Sequence, residues 1–185
     1  PFMINELVRL GAGSTDQLSN LRMLVTGGSA IAPSTVRELH RLLPNVDLVQ
    51  TYGLTEGGAI STVSEPADAF QEPESTGRAM PLTEVICCND DVGTPIPPGE
   101  VGEVWVRSPS VSIGYWGNPG ATAETFVNGW CRTGDLGRVT PRGRVQITGR
   151  KKDMIRTGGE NVYPAELEMV LSDHEAVADI AIIGV

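Results

Sequence analysis

Apolar and polar positions follow different patterns in three successive parts of the chain, and each pattern predicts different secondary structure. In the first part, the apolar run that begins at Leu21 predicts a short buried strand that ends at a Gly-Gly break. Pro33 opens a predicted helix and Pro44 ends it. A second strand is predicted over 46–51. A strand, a helix and a strand with short connections are typical of a parallel βαβ unit.

The middle of the chain is predicted to be antiparallel. The segment 64–81 is rich in Pro, Glu and Ser and carries no apolar period, so it is predicted to be a loop. Apolar and polar residues then alternate over 103–107 and again over 144–148, which predicts strands, and the Gly and Pro residues between them favour hairpins. One short helix is predicted to begin near Asn118 and to include Phe126.

The last part begins with a basic, polar stretch over 149–154 that suits a linker. Pro164 opens a predicted helix, and an apolar strand is predicted from Val177 to Val185. An apolar strand at a bare terminus is an aggregation liability, unless it pairs with an earlier strand. The opening segment PFMINELV also has the pattern of a helix interior. We therefore expect the chain to be a piece of a longer protein.

Composition and charge argue against several functions. The 185 residues include 14 Lys and Arg against 23 Asp and Glu, a net charge of −9, which disfavours binding to nucleic acid. No apolar run approaches the ~20 residues of a membrane helix, and no secretory signal is visible. Three cysteines, two of them adjacent, form neither a disulfide framework nor a zinc motif. We expect a cytoplasmic protein.

Polar residues that suit a nucleotide and its metal follow the second predicted strand. In TYGLTEGG, the Thr55 hydroxyl can donate to a phosphate oxygen, and the Glu56 carboxylate suits Mg²⁺, which takes oxygen ligands. The Tyr52 ring offers a flat face to a heterocycle. Ligands of open α/β sheets bind at the carboxyl ends of strands, where this segment lies. A glycine-rich turn with solvated Thr and Glu is the alternative.

Two later clusters carry related chemistry. Asp135 follows a Gly turn, so its carboxylate can accept hydrogen bonds from both hydroxyls of a ribose; an Asx turn is the alternative. The third cluster combines 149–153 with 158–161, for which a charged linker and a glycine turn are the alternative. The sequence contains no GxSxG nucleophile motif, no GxGxxG before a helix and no GxxxxGKS/T phosphate loop.

Five segments, taken together and in order, resemble the adenylate-forming enzymes, the superfamily of acyl-CoA synthetases, adenylation domains and luciferases. They cover nearly the whole chain: VTGGSAIAP at 25–33, TYGLTEGG at 51–58, GEVWVRSPSVSIGYW at 102–116, NGWCRTGDLG at 128–137 and GRKKDMIRTGGENVYPAELE at 149–168. Each segment alone is a weak signal. Five in the family's order make coincidence negligible.

The resemblance implies a two-step reaction with ATP, Mg²⁺ and coenzyme A. A carboxylate attacks the α-phosphate of Mg-ATP to give an acyl-adenylate and pyrophosphate, and a thiol then displaces AMP to form a thioester. By motif, Tyr52 would stack on adenine, Thr55 would bond to phosphate and Glu56 would hold Mg²⁺. Asp135 would bind the ribose hydroxyls, and Arg150 would support the ribose or the phosphate.

Further ligand-binding residues follow from the same resemblance. Lys152 falls at the hinge about which the family's C-terminal lid rotates between the half-reactions. After that rotation, Gly158 and Gly159 would border the entry tunnel of the thiol. The remaining predicted cofactor-binding residues, of which the first three would line the adenine and acyl pocket, are Gly27, Gly28, Ser29 and Gly53.

The implied fold is α/β and antiparallel β. Residues 1–70 would be the C-terminal part of the α/β subdomain of an AMP-binding domain, 71–150 an antiparallel, barrel-like β subdomain, and 151–185 the beginning of the α+β lid. The sequence lacks the family's phosphate loop with its Lys and the C-terminal Lys that contacts the carboxylate. We therefore expect this chain alone to be inactive in adenylation and weak in binding ATP.

The resemblance is less specific about the thiol that accepts the acyl group and about the carboxylic acid substrate. Leu54 and the run GGENVYPAELE resemble CoA ligases of fatty or aryl acids, so we expect a role in fatty acid metabolism. The expected partners are ATP, coenzyme A and a small carboxylic acid, without nucleic acid, and the full-length protein could form a homo-oligomer. Two alternatives stay open: an adenylation domain that loads an amino or aryl acid onto the phosphopantetheine of a carrier protein, and, more distantly, a non-catalytic interaction module.

Overall fold

One mixed sheet of nine strands runs through most of the described chain. The structure is a computed structural model that describes residues 2–11, 18–172, 174, 176–177 and 179–184. The strands of this sheet are β1 (Met23–Thr26), β2 (Asp47–Tyr52), β3 (Thr62–Val63), β4 (Ser75–Ala79), β5 (Glu84–Cys88), β6 (Gly102–Arg107), β7 (Phe126–Val127), β8 (Trp130–Val139) and β9 (Val145–Arg150). The helices are α1 (Phe2–Arg9), α2 (Pro33–Leu42), α3 (Pro66–Gln71), α4 (Pro119–Thr125) and α5 (Pro164–Ser172). A separate hairpin pairs β10 (Ile155–Thr157) with β11 (Glu160–Val162).

The order of the strands is β1-β2-β3-β4-β9-β8-β6-β5, and β7 pairs with β8. β1 and β2 are parallel, whereas the other pairs of this sheet are antiparallel. This topology confirms the predicted combination of α/β and antiparallel β structure. The division of the chain at residues 70 and 150 stays a prediction.

The first part of the chain folds as its apolar pattern predicts. Pro33 occupies the first turn of α2, and Val36 and Leu39, which are three positions apart, are buried on one face of this helix. They share a core with Ile4 of α1 and Leu48 of β2. The helix therefore covers one face of the β1–β2 pair, as in a βαβ unit.

The segment 64–81 is not the plain loop that the sequence predicted, because it contains α3 and β4. Helix α3 is short and has no amphipathic period, so the pattern could not reveal it. Tertiary contacts hold it instead, because Ala69 is buried in the core that α2 and β2 share and Phe70 packs against that core. Asp68 of α3 is buried and pairs with Arg144, which directly precedes β9.

The structure differs from the predicted secondary structure at two further places, the end of α4 and the end of the chain. Helix α4 ends at Thr125, and Phe126 begins β7, where it pairs with Cys131. The strand predicted over 177–185 is wrong for its described residues, 177 and 179–184, which form no strand. A strand needs a partner edge, whereas here the Ile182 N–H donates to the Glu168 side chain at 2.8 Å. No helix in the described ranges is both long and apolar enough to cross a bilayer.

A cluster of charges joins α3 to the start of β9. The Arg144 guanidinium donates to both carboxylate oxygens of Asp68, through Nε at 3.0 Å and through Nη2. Its Nη1 donates to Glu72 at 2.5 Å, and Glu72 also accepts from Arg142 at 3.1 Å. The two members of the central pair are nearly excluded from solvent, at 10% and 8% exposure. Because a buried charge is tolerated only when it is paired, each of them depends on the other.

We predict that Asp68→Ala lowers the melting temperature by roughly 5 °C, because it leaves a buried cation without its main acceptor. Differential scanning calorimetry measures this shift. The matched control is Glu38→Ala, which breaks an exposed pair with Arg41 on α2 and should change the melting temperature by no more than about 2 °C. Equally small shifts in the two variants would show that the buried pair does not stabilise the fold.

Candidate functional site

Two residues that the sequence predicted as ligand-binding, Tyr52 and Arg150, meet a third, the buried carboxylate of Asp135. Tyr52, the last residue of β2, donates its hydroxyl to Asp135 Oδ2 at 2.6 Å, although 83 positions separate them. The register of β8 and β9 places Asp135 opposite Arg150. Arg150 Nε forms an ion pair with Asp135 Oδ1 at 2.9 Å. One short network therefore joins the end of the parallel pair to the antiparallel strands.

Burial governs the electrostatics of this network. Asp135 is only 5% exposed, and this burial raises its pKa above the ordinary value, although the Tyr52 hydroxyl and the Arg150 charge oppose the rise. Burial and the neighbouring carboxylate likewise raise the pKa of Tyr52, so its hydroxyl stays a donor. An ionised carboxylate offers about four acceptor positions. Asp135 can therefore accept further hydroxyls beside its hydrogen bond from Tyr52 and its ion pair with Arg150.

A glycine-lined depression of about 560 Å³ opens beside Tyr52. Its lining consists of Gly27, Gly28, Thr51, Gly53, Leu54, Thr55, Gly58, Ala59 and Ile60. Close approach of neighbouring atoms requires two of these glycines: a Cβ on Gly53 would lie 1.8 Å from the Ala59 carbonyl oxygen, and one on Gly27 would lie 2.3 Å from Thr51 Oγ1. The exposed Thr55 side chain has no hydrogen-bond partner within the described residues. Its hydroxyl is therefore available to a ligand.

A basic depression of about 430 Å³ shares Arg150 with this network and is lined by Gly134, Arg150, Lys151 and Lys152. Arg150 is half exposed, at 54%, and connects this depression to Asp135. The two depressions lie within the volume range typical of small-molecule sites. Tyr52, Asp135 and Arg150 thus link a surface of glycine backbone to a surface of positive charge.

Glu56 lies one residue beyond Thr55 but lines neither depression. Its Oε1 accepts the Tyr115 hydroxyl at 2.7 Å, and no cationic side chain among the described residues pairs with it. The described residues contain no group of three His, Cys, Asp or Glu side chains that could hold a metal. Mg²⁺ typically uses one or two carboxylates and completes its shell with phosphate oxygens and water. A lone carboxylate next to a free hydroxyl fits that ion together with a phosphate ligand.

Six predicted residues line neither depression: Tyr52, Asp135 and Glu56, whose contacts are given above, and Ser29, Gly158 and Gly159. Ser29 is exposed and lines neither depression, although Gly28 before it does line one. Gly158 and Gly159 form the turn of the β10–β11 hairpin, with φ of 60° and 86°, and line neither depression. Their positive φ values suit the two glycines of such a tight turn.

Sequence reasoning missed a second buried carboxylate beside the site. Glu103 of β6 is 6% exposed and accepts from Lys151 Nζ at 2.8 Å and from Arg132 Nη2 at 3.2 Å. Burial raises the pKa of Glu103, but the bonds and charges of Lys151 and Arg132 outweigh it and leave the pKa below the ordinary value. Its partners lie 29 and 48 positions away, so no local pattern could reveal them.

Comparison with known proteins gives consistent matches. A family model described as AMP-binding enzyme matches residues 1–116. Indoleacetate–CoA ligase of Aromatoleum aromaticum is 39% identical over 184 residues, which cover 100% of this chain and 36% of that protein. Fatty acid–acyl-carrier-protein ligase of Streptomyces coeruleorubidus is 40% identical over 183 residues, which cover 96% of this chain and 34% of that protein.

Among solved structures, O-succinylbenzoate coenzyme A synthetase of Bacillus subtilis, in complex with ATP and magnesium ion, superposes with a TM-score of 0.89 at 30% identity. The match covers 100% of this chain and 38% of that one. The chain thus spans about a third of the length of the proteins it resembles.

The raised pKa of Asp135 leads to a prediction about stability without ligand. Because the native pKa lies above the unfolded one, the carboxyl favours folding when protonated, and this contribution is lost as the pH rises through the native pKa. Asp135→Asn should therefore melt at a higher temperature than the unsubstituted protein at pH 7 to 8. The difference should shrink as the pH falls toward about 4, the ordinary range of Asp.

Thermal unfolding followed across that pH range measures the difference. Glu100→Gln, at an exposed position, is the matched control and should show no such pH dependence. An Asp135→Asn protein that is less stable than the parent at every pH would contradict the interpretation that this carboxylate is costly to bury.

Proposed function

The chain belongs to the family of AMP-binding enzymes, and we propose that the whole protein activates a carboxylic acid with ATP and passes the acyl group to coenzyme A. Since the chain spans about a third of its relatives' length, the proposal concerns the full-length protein. The observation that carries it is the convergence of Tyr52 and Arg150 on the buried Asp135. A buried acceptor between a ring and a guanidinium matches the parts of AMP: hydroxyls, a heterocycle and a phosphate.

We propose that Asp135 accepts both ribose hydroxyls, using the acceptor positions that its protein donors leave open. Tyr52 holds the carboxylate in place through its hydroxyl and offers its ring to adenine. Arg150 neutralises Asp135 through Nε, and its Nη1 donates to the Thr133 carbonyl at 3.4 Å. Its remaining N–H groups can donate to the ribose or the phosphate. Because a bound hydroxyl replaces lost solvation, nucleotide binding relieves part of the cost of burying Asp135.

Thr55 and Glu56 are proposed to act on the phosphates. The free Thr55 hydroxyl donates to a phosphate oxygen, and Glu56 supplies the single protein carboxylate to Mg²⁺. When bound, Mg²⁺ would withdraw charge from the phosphates and so ease attack at the α-phosphorus. The acid's carboxylate oxygen forms the new bond to phosphorus as the bond to pyrophosphate breaks. The thiolate of the acceptor then bonds to the acyl carbon, and AMP leaves.

The glycine-lined depression is the proposed site of the acid. Its walls are backbone and small side chains, with Leu54 and Ile60 as the apolar members. These features suit a fatty or aryl acid. The ligase for indoleacetate, at 39% identity, is consistent with the aryl option.

A carrier-protein thiol is the second candidate acceptor, because the relative from Streptomyces that is 40% identical is named for an acyl carrier protein. Both acceptors end in the same phosphopantetheine thiol, so the chemistry at the acyl carbon would be identical. Thioester formation by the full-length protein with free coenzyme A, compared with a phosphopantetheinylated carrier protein, separates them. A much higher kcat/KM with the carrier protein would reject coenzyme A as the acceptor.

We predict that Asp135→Asn and Glu56→Gln each lower kcat/KM for adenylate formation by about 100-fold or more, since each removes a preorganised charge contact of the transition state. Pyrophosphate exchange of the full-length protein with a panel of fatty, aryl and amino acids measures this loss. Glu100→Gln should retain full exchange. Unchanged exchange in both site variants would reject these assignments, and exchange with amino acids alone would favour a peptide-forming adenylation domain.

A further inference from the structure

We infer that Tyr115 is a positioning residue that orients the Glu56 carboxylate for the metal of the bound nucleotide. The inference rests on the proposed function, because it takes Glu56 as the metal's protein ligand. Its starting point is the 2.7 Å hydrogen bond from the Tyr115 hydroxyl to Glu56 Oε1, across 59 positions of sequence. Tyr115 would act through Glu56 and would not itself touch the nucleotide.

The loop that carries Tyr115 lies directly against the turn that carries Glu56. The Ser112 N–H donates to the Glu56 carbonyl at 2.8 Å, and Ser110 Oγ donates to the Gly57 carbonyl at 3.5 Å. A Cβ on Gly58 would lie 2.5 Å from the Ser110 carbonyl oxygen, so the two backbones are in contact. Loop and turn therefore form one unit, and the Tyr115–Glu56 bond is not an isolated surface contact.

Tyr115 is also held from its other side. Its N–H donates to Thr122 Oγ1 of α4 at 2.9 Å, and its ring lies 5.8 Å from the ring of Phe126. A Cβ on Gly114 would lie 2.7 Å from Thr122 Cγ2. The loop therefore packs closely against α4 at this glycine. The hydroxyl is thus presented from a backbone fixed by α4, and the bond costs little additional ordering of the side chain.

The hydrogen bond from Tyr115 occupies one oxygen of the Glu56 carboxylate and leaves the other oxygen free. Glu56 Oε1 accepts from Tyr115, while Oε2 has no partner within the described residues. A carboxylate held in this way can rotate less, so its free oxygen keeps one direction. Metal-binding carboxylates are commonly oriented by such outer hydrogen bonds, and loss of the donor typically costs 10- to 100-fold in metal affinity.

The test measures metal binding separately from catalysis. Mn²⁺ replaces Mg²⁺ as the probe, and electron paramagnetic resonance follows its binding to the full-length protein with ATP and without acid. Tyr115→Phe, which removes only the hydroxyl, should weaken Mn²⁺ binding about 10-fold. Trp116→Phe is the matched control, because Trp116 is the next residue, is fully exposed and should leave the affinity unchanged.

AMP affinity of Tyr115→Phe and Mn²⁺ binding of Glu56→Gln separate failure of this inference from failure of the proposed function. AMP affinity by calorimetry should be unchanged in Tyr115→Phe, because AMP binding would not require the metal that Glu56 is proposed to hold. Weakened Mn²⁺ binding in Glu56→Gln but normal binding in Tyr115→Phe would overturn this inference and leave the proposed function intact. Normal binding in both variants would overturn the metal role of Glu56 as well. Equal losses of AMP and Mn²⁺ affinity in Tyr115→Phe would show general damage and also overturn the inference.

Discussion

Burial of the Asp135 carboxylate is the constraint on which the candidate site depends. A charge at 5% exposure is costly unless other groups bond to it, and the fold must bring those groups from distant parts of the chain. Tyr52 comes from the end of β2 and Arg150 from the end of β9. In the sheet order, β3, β4 and β9 lie between β2 and β8. A tyrosine hydroxyl can span this separation only if the sheet curls, which the short β3 and the bulge of β4 at Ser75 and Gly77 favour.

The same constraint explains how two kinds of surface come to lie together. The parallel part of the sheet contributes glycine backbone. Only glycine permits position 27 to lie so close to Thr51 and position 53 to lie so close to Ala59. The antiparallel part contributes Arg150 and, directly after it, Lys151, which the buried Glu103 holds at 2.8 Å. The cations that would meet a phosphate are therefore anchored by two buried carboxylates, Asp135 and Glu103, and not left to move freely on the surface.

Sequence reasoning recovered those features that depend on local pattern. The strand before Gly27 and the helix opened by Pro33 follow from apolar period and proline chemistry. The order of the five motifs predicted that Tyr52 and Asp135 belong to one site; the structure joins their side chains by a hydrogen bond, and their roles toward a nucleotide stay predictions. Helix α3 was not predicted because its six residues are too few to show an apolar period, although Ala69 packs in the core and Asp68 pairs with Arg144. Tyr115 escaped because its partner lies 59 positions away and a tyrosine in a loop has no distinguishing pattern. Periodicity reports burial along one element, whereas these contacts are between elements.

The most direct measurement is a crystal structure of the full-length protein with AMP. The account predicts both ribose hydroxyls within about 2.5 to 3.0 Å of the Asp135 carboxylate oxygens, adenine against the Tyr52 ring, and the phosphate within reach of Arg150 or Thr55. A nucleotide bound elsewhere, with Asp135 still bonded only to Tyr52 and Arg150, would contradict it.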